Sequence, residues 1–432
     1  MVARDCNAVL NFQCPFEGLS QHSPLIGAEQ TTSLLVVMIC KKMIKLFVTP
    51  FNFNEKYDII LRIMVFYAFL LSFIEESRFF MKRFIDITDF TREELREAIN
   101  LVTFIKDNQH VYAKEMVNRT LVTAFYGDDR NAKMAFTTAA TRMGGANFDF
   151  EFKEGESLKD AVMAMSSCGD VIVLNHPKKG AARAASLYAT IPVINAGDGD
   201  RAYPVKTLSD ISGVWIEKNH VSNMKIGFVG DFSNNALVRG LLQCLNIYKG
   251  NEFFFISANG KPITDDFISI MDRREKPFVV YDNLAEPLPE LDVIYFTEVK
   301  KDSFDSVIQY EARKHCFTLD ERLLLTAKPD LAILHQFPRG EEISETVDYD
   351  ERAKYFKMLE YNVDASIAII IKLITKRTGR LIKPCVEEAT HDFKCLKDDC
   401  ITSTEDYLPP LFHENADGEL ICKYCGQKYE TK

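Results

Sequence analysis

The sequence has no apolar run long enough to cross a bilayer. Its longest, Ile59–Ile74, holds 16 residues and includes Arg62, against the ~20 that a spanning helix needs, and the run Leu34–Cys40 is far shorter. A membrane protein is disfavoured, and a tether through residues 59–74 is a separate, weaker reading. Positive charge is scarce: 52 Lys and Arg stand against 62 Asp and Glu, a formal charge of −10. Nucleic-acid phosphates therefore meet no general attraction, and nucleic acid is not an expected partner. No cleavable signal peptide, internal repeat or low-complexity tract is evident. Eleven cysteines without a secretory leader indicate a reducing compartment, and a cytoplasmic location is expected.

Apolar residues make up 47% and charged residues 26% of the 432, the usage of a soluble globular protein, and the length predicts two or three domains. Residues 1–80 form an apolar amino-terminal extension, in which Lys41, Lys42 and Lys45 lie beside apolar residues as in an interfacial segment. The natural chain is expected to begin at Met81, shortly before Thr91, Arg92, Glu93 and Glu94 spell a capping box for a first helix. Strand candidates at Leu121–Phe125, Phe148–Phe152, Val171–Leu174 and Pro192–Asn195 then alternate with helical stretches such as Ala132–Arg142 and Ala181–Tyr188. A second alternating block has strands at Lys225–Val229, Glu252–Ile256, Phe278–Tyr281, Val293–Thr297 and Leu331–His335. This alternation predicts an α/β fold of two tandem parallel-sheet αβα domains, residues 81–218 and 219–380, closed by a long apolar helix from Tyr355 to Thr375. Ligands of such folds lie beyond the carboxyl ends of the strands.

Cys395 and Cys400 are separated by four residues, and Cys422 and Cys425 by two. Two short knuckles supplying two thiolates each suit a tetrahedral zinc ion. Asp417-Gly418 is a hairpin signal that folds the second knuckle back on the first, while His391 and His413 keep another ligand set open. Residues 385–432 are too few to fold around a core without such a staple, so one structural zinc per chain and a small zinc-binding β domain are expected. The other cysteines, including Cys168, Cys244 and Cys316, are read as core or inert thiols.

The runs from Asn175 (NHPKKGAARAA), Val193 (VINAGDGDRAYPVKTLSD), Asp292 (DVIYFTEVKKDSF) and His335 (HQFPRGEEI), with Val229-Gly230-Asp231, resemble aspartate carbamoyltransferase catalytic chains over about Met81 to Thr375. The tail from Cys395 resembles the zinc domain of that enzyme's regulatory chain. The resemblance implies a carbamoyl-phosphate domain (81–218), an aspartate domain (219–380) whose last helix returns to the first, and a homotrimer with active sites shared between neighbours. The zinc domain is expected against a neighbouring chain or its own second domain. Too few residues separate Thr375 from Cys395 for a nucleotide-binding regulatory domain.

Residue by residue, the resemblance implies a changed site. The family cradles phosphate with a Ser-Thr-Arg-Thr-Arg run; Asp129, Arg130, Asn131, Ala132 and Lys133 stand there, preceded by Asp128. Unit charges 4 Å apart interact by about 4 kcal/mol at an effective dielectric of 20, so Arg130 and Lys133 compensate for the two aspartates only in part. Asn175 replaces an arginine before the retained His176-Pro177, and Tyr203 and Lys206 replace a histidine and a glutamine. Ala236 and Glu298 replace the arginines that hold the two aspartate carboxylates. A mobile-loop lysine aligns with Glu154, or with Lys153 if the register slips by one. Pro338 and Arg339 are retained, with Phe337 in place of leucine.

Candidate catalytic residues are therefore His176 and Arg339, with Arg130, Lys133, Lys153, Lys206 and Pro338 as candidate substrate ligands. Plainer explanations stand beside these: His176 as a strand-end cap, Gly197-Asp198-Gly199 as a common turn, Arg339 as a solvated charge. The expected function is an aspartate carbamoyltransferase homologue with weak or lost activity, acting as a binding or regulatory partner, in a homotrimer or with an intact catalytic chain. The alternative is an active transferase that joins carbamoyl phosphate to L-aspartate or another amine, one with positive charge if Glu298 faces it.

Overall fold

The computed structural model describes residues 83–429, apart from 154, 233–234, 272–277, 336, 375–386 and 416–417. The extension 1–80 and the expected start at Met81 lie outside the described residues. No helix among them is long and apolar enough to cross a membrane.

The first sheet contains β1 (Arg83–Phe84), β2 (Thr120–Phe125), β3 (Ala146–Phe150), β4 (Val171–His176) and β5 (Val193–Asp198) in the order β1-β5-β4-β2-β3, all parallel. Helices α1 (Arg92–Asn108), α2 (Arg130–Arg142), α3 (Leu158–Cys168), α4 (Ala181–Tyr188) and α5 (Pro204–Lys218) connect or flank the strands. Strands β4 and β5 are buried along their whole length, as central strands covered on both faces must be. The capping box of α1 forms as expected: Glu94 N donates to Thr91 Oγ1 at 3.2 Å and Thr91 N to Glu94 Oε2 at 2.8 Å. Strand β3 begins and ends two residues earlier than Phe148–Phe152. Three phenylalanines at a spacing of two mark a strand's faces but not its ends.

The second sheet contains β6 (Lys225–Gly230), β7 (Glu252–Ser257), β8 (Val279–Tyr281), β9 (Val293–Phe296) and β10 (Ala332–His335) in the order β10-β9-β6-β7-β8, also parallel. Around it lie α6 (Ala236–Asn246), α7 (Asp265–Met271), α8 (Val307–Phe317) and α9 (Glu321–Leu324). The apolar helix α10 (Tyr355–Leu373) packs on α1, α2 and α5 as well as on β10. Its residues Ala365, Ile369 and Ile370 join one buried cluster with Leu208 of the first domain and Leu334 of the second. Burying this one apolar face fixes the two sheets together and sets their strand ends around a common space.

The carboxyl-terminal unit carries one antiparallel pair, β11 (Phe412–Glu414) and β12 (Leu420–Cys422). The turn between them closes through Gly418 N to Asn415 O at 3.1 Å, with Gly418 at φ 75°; Asp417 lies outside the described residues. The unit docks on the first domain of its own chain, which corrects the expectation of its own second domain. Lys179 N donates to Asp399 O at 2.8 Å, and Ile401 N to Lys179 O at 2.9 Å. Around these bonds, Leu158, Ala182 and Ala185 pack in one cluster with Leu408, Leu411 and Phe412. The alanines of α4, Ala181, Ala182, Ala184 and Ala185, let the unit approach closely.

Gly180 approaches closely, at φ 83°, and a Cβ there would lie 2.6 Å from the Tyr424 backbone. Gly180→Ala therefore combines a left-handed backbone with overpacking against main chain. It is expected to weaken docking by about 1–3 kcal/mol, read as faster proteolytic release of the cysteine-bearing unit at unchanged cleavage of the body.

Candidate functional site at the strand ends and the cysteine centre

The ends of β2, β4 and β5 bring Tyr126, His176 and Asp198 to one edge of the first sheet. His176 is nearly buried, beneath the edge-to-face ring of Tyr126 at 4.4 Å, and Tyr126 stacks on Phe152 at 4.0 Å. Its Nδ1 accepts from Lys178 N at 3.0 Å, which places the proton of the neutral ring on Nε2. Burial, with the Lys178 ammonium adding to it, pushes the imidazole pKa down to about 4. At neutral pH His176 can donate a hydrogen bond through Nε2 but holds no positive charge for an anion.

The amino terminus of α2 is the place where backbone donors and the helix dipole would favour a phosphate. Here Asp129 is the N-cap, its Oδ1 accepting from Ala132 N at 3.1 Å. The chain's own carboxylate takes one of the first-turn N–H donors. Arg130 pairs with Asp128 at 3.4 Å, both exposed, and Lys133 reaches Asp149 on β3 at 2.5 Å. Each cation is thus paired with a carboxylate of the chain. Lys153 is exposed after β3, its backbone N bonded to Glu156 Oε2 at 3.1 Å; Glu154 lies outside the described residues. Tyr203 precedes α5, and its phenol is pushed up to about 12 by burial and then by Asp129, Asp200 and Asp198, so it remains a neutral hydroxyl.

Lys206, in the first turn of α5, lines a small pocket of about 20 Å³ with Asn131, Asp210, His335, Phe337 and Asn362. Burial pushes Asp210 up to about 7, opposed by a 2.5 Å hydrogen bond from Tyr295 Oη and by the Lys206 charge. On the facing domain, Pro338 follows a cis peptide bond from Phe337. Arg339 is held by both oxygens of Asp348, Nη2 to Oδ2 at 3.1 Å, while Tyr355 Oη donates to Asp348 Oδ1 at 2.5 Å. Ala236 is buried at the start of α6. Glu298, beyond β9, is exposed, with Lys300 at 3.9 Å.

Sequence reasoning missed the buried acids Asp198, Asp210, Glu342 and Asp364. Asp198, read as part of a common turn, is wholly buried and accepts from Gly180 N at 3.0 Å and Ala202 N at 3.2 Å. Glu342 is buried against His335, Oε1 to Nε2 at 2.5 Å. The available signal was an acid flanked by glycines or close behind a strand-end histidine, a weak pattern in isolation.

The four cysteines meet as the spacing predicts. All are buried, and their sulfurs lie within 4.8 Å of one another, Cys395 to Cys425 at 3.7 Å and Cys400 to Cys422 at 4.0 Å. A tetrahedron with ~2.3 Å metal–sulfur bonds has edges of about 3.8 Å, so the four thiols can hold a metal ion. His391 and His413 stay outside this group: His391 Nδ1 contacts Thr390 Oγ1 at 2.9 Å, and His413 is exposed on β11.

Two parallel sheets sharing a core, with strand ends facing across a pocket, define a two-domain α/β protein of the kind that binds ligands between its domains. Residues 82–215 match the aspartate/ornithine carbamoyltransferase carbamoyl-P binding domain and 222–373 the Asp/Orn binding domain of the same proteins. The chain is 35% identical over 299 residues to the aspartate carbamoyltransferase catalytic subunit of Clostridium novyi (strain NT), covering 68% of this chain and 98% of that one. The catalytic subunit of M. jannaschii aspartate transcarbamoylase aligns with a TM-score of 0.66 at 31% identity, covering 69% of this chain and all of that one. The Trypanosoma cruzi enzyme, solved with N-(phosphonacetyl)-L-aspartic acid, aligns with a TM-score of 0.63 at 25% identity, covering 68% and 95%. The chain belongs to the aspartate/ornithine carbamoyltransferase family. Both family matches end before Cys395.

Two outcomes are expected. Because the folded pKa of His176 lies below the ordinary 6.5, its contribution to stability is complete above pH ~6.5 and is lost as pH falls toward 4. Relative to His176→Gln, the parent should lose up to about 3 kcal/mol more across that window, measured by denaturant unfolding; equal slopes would contradict a buried neutral ring. Elemental analysis should find one zinc per chain, with Cys422→Ser losing the metal and exposing the unit to protease. Four thiolates leave no open position, so the ion would staple structure.

Proposed function

We propose that this chain keeps the family's scaffold without ordinary aspartate carbamoyltransferase turnover, and serves as a binding or regulatory partner in a cytoplasmic assembly linked to pyrimidine biosynthesis. The observation that carries this reading is Asp129, whose carboxylate caps the helix end where the family's phosphate cradle would open. A dianion arriving there meets Asp128 and Asp129, while Lys133 and Arg339 are engaged by Asp149 and Asp348. Each charge-assisted bond is worth ~1.5–3 kcal/mol, so losing two or three approaches the whole ~4 kcal/mol of a millimolar ligand. The assembly is a homotrimer or a complex with an intact catalytic chain, and a zinc ion at Cys395, Cys400, Cys422 and Cys425 fastens the carboxyl-terminal unit.

The exposed Glu298 favours one second reading, a carbamoyltransferase for an amine that carries positive charge where aspartate carries its side-chain carboxylate. Turnover with cationic amines and none with aspartate distinguishes it.

Titration calorimetry with carbamoyl phosphate tests the first reading. The parent should bind more weakly than ~1 mM. Asp129→Ser keeps an N-cap and removes the charge, so it should gain at least ~10-fold. Micromolar binding by the parent, or no gain in a folded variant, contradicts the role given to Asp129.

A further inference from the structure

Arg201 stands between the strand-end loops and the cysteine centre. It lies three residues after Asp198 and two before Tyr203, in the loop that leaves β5. Nη2 pairs with Asp86 at 3.2 Å, and Nη1 is 3.6 Å from Asp198 Oδ2, beyond hydrogen-bond range. Nε and Nη1 are shielded from solvent and have no acceptor, although a buried donor seldom goes unpaired. The second cysteine knuckle is adjacent: a Cβ on Gly426 would lie 3.9 Å from Arg201 Nε. Gly426 directly follows Cys425, so the guanidinium lies against the second knuckle.

Four thiolates around a divalent ion carry a net charge of −2, and thiolate sulfur accepts hydrogen bonds. A shielded guanidinium with orphaned N–H groups against Gly426, the residue after Cys425, suits that charge. We propose that Arg201 is the outer-sphere cation of the metal centre, a positioning residue through which metal binding orders the loop Gly197–Tyr203. The neighbouring loop is attached in parallel: Lys179, almost fully buried, pairs with Asp399 of the first knuckle at 2.8 Å and lies 3.8 Å from Asp200. Metal binding and the order of the strand ends are thus one equilibrium. The inference rests on reading the four cysteines as a metal site.

The test compares zinc-loaded parent, Arg201→Gln and Arg201→Lys by the rate of zinc release to a chromophoric chelator. Outer-sphere partners are typically worth 10–100-fold in metal affinity, so Arg201→Gln should release zinc at least ~10-fold faster, with Arg201→Lys between it and the parent. Hydrogen exchange on the parent alone should show that metal removal speeds exchange in residues 178–183 and 197–203 and leaves β6, β7 and β9 unchanged. Equal release rates in three folded proteins would overturn the role of Arg201 while leaving the metal site standing. Should Arg201→Gln fail to fold, the parent's exchange decides, and unchanged protection in 197–203 overturns the coupling. Purified parent that binds no zinc or cobalt removes the metal reading, and this inference with it.

Discussion

The buried carboxylate of Asp198 is the contact on which the strand-end region depends. It accepts from Gly180 N and Asn195 Nδ2 at 3.0 Å and from Ala202 N at 3.2 Å, so one side chain joins the loops that follow β4 and β5. Asn195 extends the network to Ile85 O at 2.8 Å, beyond β1, and Gly180 extends it to the carboxyl-terminal unit through Tyr424. Burial pushes the acid up to about 6, against the pull of Arg201 and the donors. Removing one partner of a buried ionic cluster typically costs ~3–5 kcal/mol, because the remaining donors have nowhere else to turn.

Internal pairing extends to other charges near the strand ends. Lys133 is bonded to Asp149, Arg339 to Asp348, Arg130 to Asp128, and the helix end of α2 to Asp129. A family member that binds two anionic substrates needs donors whose partners arrive with the ligand. Here the partners belong to the chain, so a ligand must displace them; the exposed pairs to Asp128 and Asp149 cost little to break, whereas freeing Arg339 leaves the largely shielded Asp348 behind. The scaffold is held by a shared apolar core that does not depend on these charges.

Alternation of apolar runs made both sheets legible, because strands covered on two faces need continuous Val, Ile, Leu and Phe. The paired cysteines were legible because metal geometry demands short spacing. Where the carboxyl-terminal unit docks was not, since it rests on Lys179 meeting Asp399 and Ile401, residues more than two hundred positions apart. Substitution at Asp129 could be read from the sequence, but its capping of α2 could not: the helix begins at Arg130, two residues before the expected Ala132. The engagement of Lys133 and Arg339 was equally hidden, because their carboxylate partners are set by folding.

The central claim is that these strand ends no longer support carbamoyl transfer to aspartate. The most direct measurement is formation of radiolabelled carbamoyl-aspartate by the purified full chain at saturating carbamoyl phosphate and aspartate, with a Clostridium novyi-type catalytic subunit as the positive control. Product at the level of the enzyme-free blank is predicted, whereas turnover above ~1 per second, the low end of typical enzymes, would contradict it.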